Sequence, residues 1–330
     1  VRLWRGAIRL LAPGGGVRLA AAACVRARYS PSQCSDCAAA CPVDAIAYGP
    51  LPRLDADRCT ACRLCEAACP TGAIAGDERS LGVLAAELAK TPSPVLGCRI
   101  PGVQANVHTG CLGFLDAEAL VALGLALPGG VQLNLTRCGE CVNAPVVARL
   151  QAAAEAALAV PAAANVRLVT DPKALDYRES GLSRRQFFSL AGKRAAQAAS
   201  SAAGIEGAAT RPAFGERKNL PAGRRLLLEK LAPLPAAERS AADAALFPAL
   251  AFGASCTNCM GCVGMCPTGA IATSRDDPPR PVFIAPLCTA CGVCAEFCNV
   301  KAIAVTPAAA LAGGAADAPA ATPAAPAAGT

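Results

Sequence analysis

The stretch Cys256-Thr-Asn-Cys259-Met-Gly-Cys262-Val-Gly-Met-Cys266-Pro267 and a second run, Cys288, Cys291, Cys294 and Cys298, carry the densest chemistry in the chain. Their C-x2-C-x2-C-x3-C spacing places three thiols on one tight loop and a fourth just beyond it. Thiolates are soft ligands, suited to iron–sulfur centres and to zinc. A cubane cluster needs four thiolates pointing inward, and one such loop supplies three, so the fourth comes from elsewhere. A structural zinc site more often joins two well-separated Cys pairs. A disulfide framework belongs to short chains in oxidising compartments. Spacing and duplication together point to [4Fe-4S] clusters.

Two comparable runs lie near the start. Cys59-x2-Cys62-x2-Cys65-x3-Cys69-Pro70 is complete, whereas Cys34-x2-Cys37-x3-Cys41-Pro42 lacks its first Cys, whose place is taken by Pro31. Cys24, upstream, could swing in as the missing ligand; the alternative is a buried thiol beside a three-ligand [3Fe-4S] site. The text after each run repeats: Cys41-Pro-Val-Asp-Ala-Ile-Ala, Cys69-Pro-Thr-Gly-Ala-Ile-Ala, Cys266-Pro-Thr-Gly-Ala-Ile-Ala and, more loosely, Cys298-Asn-Val-Lys-Ala-Ile-Ala. This is an internal repeat. Pro stops the cysteine segment from continuing as helix. The Ala-Ile that follows predicts a short strand entering an apolar shell.

On these motifs, residues 24–75 and 254–305 each resemble a bacterial two-cluster ferredoxin domain. The resemblance implies that paired runs exchange their fourth ligands. Cys24, Cys34, Cys37 and Cys69 would hold one [4Fe-4S] cluster, and Cys59, Cys62, Cys65 and Cys41 the next. Cys256, Cys259, Cys262 and Cys298 would hold a third, and Cys288, Cys291, Cys294 and Cys266 a fourth.

These loops need elements to hold them, and the middle of the chain reads differently. Helices are predicted over 80–90, 116–127 (with Asp116 as N-cap) and about 144–159. Strands are predicted over 94–98, 131–136 and 166–170. Alternating strands and helices predict a small α/β domain with a largely parallel sheet. Cys98, Cys111, Cys138 and Cys141 fall at strand ends, where such sheets place their sites. This segment resembles the iron–sulfur subunit found with methyl-viologen-reducing hydrogenase and heterodisulfide reductase, and more loosely the thioredoxin-like ferredoxins. That resemblance implies a [2Fe-2S] centre on these four Cys. Zinc and a Cys-x-x-Cys dithiol fit the same spacing. His108, three residues before Cys111, reads as an ordinary loop His or as a ligand.

The expected class is α+β: two ferredoxin-like dicluster domains (21–79 and 246–306) flanking a small α/β domain (80–175). A lead-in (1–20), a basic helical connector (176–245) and a disordered Ala/Pro-rich tail (307–330) complete the chain. Pro13-Gly14-Gly15-Gly16 lacks the nucleotide-loop patterns and reads as a turn. The net charge of +7 is concentrated in the connector, which carries 11 Lys and Arg against four Glu between Arg178 and Lys230. It could steer an acidic partner or be a solvated linker. Ser183-Arg184-Arg185-Gln186-Phe187-Phe188 resembles a twin-arginine export core, but its internal position argues against export. No apolar run is long enough to span a membrane, and no h-region opens the chain, so a reducing cytoplasm is expected. With one His and no nucleotide fingerprint, no stand-alone enzymatic reaction is expected, and nucleic acid is not an expected partner.

The expected function is electron transfer by a polyferredoxin-type protein with four [4Fe-4S] clusters and a [2Fe-2S] (or zinc) site. Alternatives are a tightly bound subunit of an oxidoreductase and a maturation factor for one. The whole chain resembles ferredoxin proteins accompanying formate dehydrogenases, which implies formate dehydrogenase or hydrogenase as redox partner.

Overall fold

The computed structural model describes residues 17–49, 51–76, 79–179 and 218–308. The Gly-rich turn, the twin-arginine-like text, most of the basic connector and the tail beyond Ala308 lie outside these residues. Helices and strands are mixed throughout, as in an α+β fold. Among the described residues, no helix is long and apolar enough to cross a membrane.

The Ala-Ile segments are strands, as their apolar, β-branched character predicts. β1 (Val17–Leu19) pairs antiparallel with β4 (Ile74–Gly76), and β2 (Ile46–Ala47) with β3 (Arg53–Leu54). The same pattern recurs later. β9 (Ala249–Phe252) pairs with β12 (Ile303–Thr306), and β10 (Ile271–Thr273) with β11 (Pro281–Phe283). In each half the outer strand pair brings the start of the segment against its end, so Ile74 faces Leu19 and Ile303 faces Phe252. β1 and β9 carry no Cys, and sequence reading did not foresee them.

The middle segment is a four-stranded parallel sheet in the order β6-β5-β7-β8. β5 (Val95–Cys98) and β7 (Val131–Asn134) are buried at every position, which is what a parallel strand covered on both faces requires. β6 (Val107–Thr109) is an edge strand that sequence reading took for loop; β8 (Val166–Val169) is the other edge. The predicted helices form at Leu81–Leu88, Ala117–Ala126 and Pro145–Ala157. Ser80 and Asp116 cap the first two by accepting from Val83 N and Ala119 N. Helix Ala117–Ala126 is buried almost all round because it is packed from several sides. Gly124 permits one of these approaches: a Cβ there would lie 2.0 Å from the Ala162 carbonyl oxygen.

The connector assignment changes in its second half. Helices Ala222–Leu231 and Ala236–Leu246 are not a separate linker. Leu226, Leu227, Leu231 and Leu246 join the hydrophobic core of the α/β domain. The reason is amphipathic periodicity: their apolar stripe covers helix Ala117–Ala126, which would otherwise face water.

Candidate functional site

Each cysteine loop is built by backbone conformation as much as by sulfur. In Cys59–Cys65, Ala61 and Arg63 have positive φ; in Cys256–Cys262, Asn258 and Met260; in Cys288–Cys294, Ala290 and Gly292. These are the residues on either side of the second Cys in all three complete runs. Alternation of this kind turns successive N–H groups to one side, the nest that binds anions and iron–sulfur centres. Ala61 N and Ala290 N donate to Cys59 Sγ (3.4 Å) and Cys288 Sγ (3.5 Å). The incomplete run has no such nest. Its Asp36–Ala39 helix begins immediately after Cys34 and Ser35.

The turn after each run is equally regular. Asp44, Gly72, Gly269 and Lys301 occupy the same place in the four repeats, and all have positive φ. The turn aims the next N–H back at the run's last sulfur. Ala45 N reaches Cys41 Sγ at 3.2 Å, Ala73 N reaches Cys69 Sγ at 3.2 Å, and Ala302 N reaches Cys298 Sγ at 3.4 Å. At Cys266, burial opposes ionisation. Even so, the Thr268 hydroxyl and the N–H groups of Ile271, Thr268 and Ala270 hold the thiol below its ordinary range.

The exchanged sets come together in space. Cys24, Cys34, Cys37 and Cys69 line one cavity; Cys41, Cys59, Cys62 and Cys65 line a second. Cys256, Cys259, Cys262 and Cys298 line a third, the roomiest at about 220 Å³. Cys291 and Cys294 both interact electrostatically with Cys266 and Cys288, so the remaining four also converge. Cys24 therefore lies beside Cys34, Cys37 and Cys69, itself buried, at the end of the short helical turn Ala21–Ala23. Cys98, Cys111, Cys138 and Cys141 line a further cavity of about 50 Å³. His108 does not line it; its Nε2 lies 3.1 Å from the Val103 carbonyl oxygen.

Electrostatically these thiols are poorly served as they stand. Burial, and then the crowding of neighbouring thiols, pushes Cys65, Cys138 and Cys294 up to about 12. Burial pushes Cys111 and Cys291 to the same value. Such a set becomes thiolate when a cationic centre compensates for lost hydration. Among the described residues, no group of three or more His, Cys, Asp or Glu could hold a single metal ion. Thr289 Oγ1, next to Cys288, is buried without a hydrogen-bond partner, so a donor is left over at the fourth site. The donor chemistry, the nests and this spare hydroxyl fit iron–sulfur clusters.

Individual contacts tie the cysteine sites to one another. Ala61 lines both the Cys98 cavity and the Cys59 cavity. Asn143 Nδ2 donates to Thr60 O at 3.1 Å, and at Gly113 a Cβ would lie 2.1 Å from Cys62 O, so the α/β domain sits directly on that loop. Arg63 is buried across this junction. It pairs with Glu66 at 2.8 Å, donates to Thr109 Oγ1 at 3.3 Å and stacks on Phe114 at 3.9 Å. At the opposite side, Asn219 links the two halves, donating from N to Pro267 O (2.9 Å) and from Nδ2 to Thr71 O (3.3 Å). Tyr29 meets Phe297 edge-on at 5.7 Å between ring centres.

Sequence reading missed the residues that make these junctions: Arg28, Arg63, Gly113, Lys218, Asn219 and Arg224. None belongs to a spacing motif. The buried charges among them give no sign in sequence that they are buried.

Residues 32–73 match the family model of the 4Fe-4S dicluster domain, so this part is a ferredoxin-type domain. No curated protein and no solved structure matches the chain.

Proposed function

We propose that this chain is a multi-centre electron carrier with four [4Fe-4S] clusters and one [2Fe-2S] centre. The observation that supports it best is that the cysteines predicted to exchange between runs line common cavities. When bound, such clusters supply one-electron redox chemistry. The chain's own residues do the rest. Cys24, Cys34, Cys37 and Cys69 would hold one cluster, and Cys41, Cys59, Cys62 and Cys65 its neighbour. Cys256, Cys259, Cys262 and Cys298 would hold the third, and Cys266, Cys288, Cys291 and Cys294 the fourth. Cys98, Cys111, Cys138 and Cys141 would hold the [2Fe-2S] centre. Backbone N–H groups directed at sulfur favour the more negative state, and the apolar shells of Ile46, Ile74, Ile271 and Ile303 exclude water.

Joined through these contacts, the sites would make a path with one end at Cys259, which is exposed, and another in the α/β domain. A path with two ends serves two redox partner proteins. The resemblance noted above makes a formate dehydrogenase or hydrogenase the first candidate for one of them. The test is iron, acid-labile sulfide and zinc per chain in protein purified without oxygen. Four cubanes and a [2Fe-2S] centre require about 18 Fe with matching sulfide. About 16 Fe with one zinc would reassign the Cys98 set, and little iron after anaerobic reconstitution would overturn the reading.

A further inference from the structure

The Cys266–Cys288–Cys291–Cys294 site differs from the Cys256 site beside it in the charges placed around it, and these come from outside its own domain. Arg28 belongs to the first ferredoxin-like half, on the short helix that follows Cys24. It is buried, its Nε donates to Ala22 O at 3.1 Å, and its guanidinium interacts electrostatically with Cys266 and Cys291. Lys218 precedes the helices of the α/β core. Its Nζ donates to Cys266 O and to Val263 O, both at 2.8 Å. Arg224, 1% exposed, donates from Nη1 to Cys288 O at 2.6 Å and to Pro286 O at 2.8 Å. Its other edge is paired with Glu118 at 2.5 Å, which offsets part of its charge.

The neighbouring sites are different. No charged side chain lines the cavity of the Cys256 set. At the Cys24 set, Arg26 donates to Cys34 O at 2.7 Å, but Asp36 lies 3.6 Å from Cys34 Sγ. Adding an electron to a centre adds a negative charge, and a fixed cation nearby stabilises it, more strongly where water is excluded.

We infer that Arg28, Lys218 and Arg224 give the Cys266–Cys288–Cys291–Cys294 site a higher reduction potential than the Cys256 site beside it. This rests on the cluster assignment proposed above. The three residues are positioning residues: each acts through the ligand loops of the site. Of these two sites, an electron therefore rests first at the Cys266–Cys288–Cys291–Cys294 site.

The experiment is a redox titration followed by electron paramagnetic resonance on the full, cluster-loaded chain, with iron and sulfide measured for each variant. The variants are Lys218→Gln, Arg28→Gln and Lys218→Arg; Arg224 is left intact because its buried pair with Glu118 supports the fold. The signal belonging to the site is the one lost in Cys291→Ala. In wild type this signal should titrate at higher potential than the one lost in Cys259→Ala. In Lys218→Gln and Arg28→Gln, at unchanged iron content, its oxidised-to-reduced ratio at a fixed potential should rise about tenfold, equal to about 59 mV for one electron. Lys218→Arg should leave it in place. Unmoved signals at full iron content, or equal movement of all signals, would overturn the inference while leaving the cluster assignment standing. A wild-type chain without four-iron signals would overturn both.

Discussion

Arg63 shows how one side chain serves two purposes. It lies between Cys62 and Cys65 with a left-handed backbone that shapes the ligand loop, and its buried guanidinium ties that loop to Glu66, Thr109 and Phe114. Gly113 answers it from the α/β side, where no Cβ can stand because Cys62 O would be 2.1 Å away. Gly113→Ala should overpack this contact and destabilise the chain by about 2 kcal/mol, read as a lower unfolding midpoint with the iron content of wild type at low temperature. A midpoint equal to wild type would mean the two surfaces are not held in contact. Cys62→Ala should remove about four iron atoms per chain, the content of one cubane, and weaken residues 32–73. Unchanged iron would refute Cys62 as a ligand.

At the scale of elements, the helix Ala117–Ala126 is the pivot of the α/β domain. Its N-cap, Asp116, is held by Ala119 N at 2.7 Å. Burial, and then the nearby charge of Glu118, push the Asp116 carboxyl up to about 7. Its folded value thus exceeds the ordinary carboxylate value. Between roughly pH 4 and 7 the folded chain keeps a proton that the unfolded chain has released, so this group's contribution to stability falls as pH rises through that window. Asn caps a helix as well as Asp does and cannot ionise. Asp116→Asn should flatten the decline in anaerobic unfolding midpoint between pH 5.5 and 7.5; an unaltered slope would place the titration elsewhere.

In the whole molecule, the two cysteine-run halves, far apart in sequence, meet through Asn219, Tyr29 and Phe297, and the α/β domain packs against both, through Asn143 on one and Arg224 on the other. The sites consequently differ in their access to water. Cys259 is the one cysteine among the described residues that is fully exposed, and its cavity is the roomiest. Controlled chelation or brief exposure to oxygen should therefore remove iron from the Cys256 site first, leaving the signals of the other centres. Measuring resonance spectra against iron loss checks this, and simultaneous loss from all sites would show that the packing does not shield the inner ones.

The chain itself determined much of this. Thiol spacing marked the candidate ligands, and the resemblance to two-cluster ferredoxins implied their exchange between runs; Cys24, open between ligand and buried thiol in the sequence, lines the cavity of Cys34, Cys37 and Cys69. Alternating patterns marked the helices and central strands of the α/β domain, and Asp116 read as its cap. Short-range pattern was silent on strands without Cys, β1, β6 and β9, whose pairing depends on partners distant in the chain. It was silent too on the second half of the connector, whose Leu residues choose a core only when one is offered. The gathering of Arg28, Lys218 and Arg224 around the Cys266 and Cys288 loops was decided by tertiary structure alone. A charged residue looks the same in sequence whether it meets water or another domain, and only packing determines which.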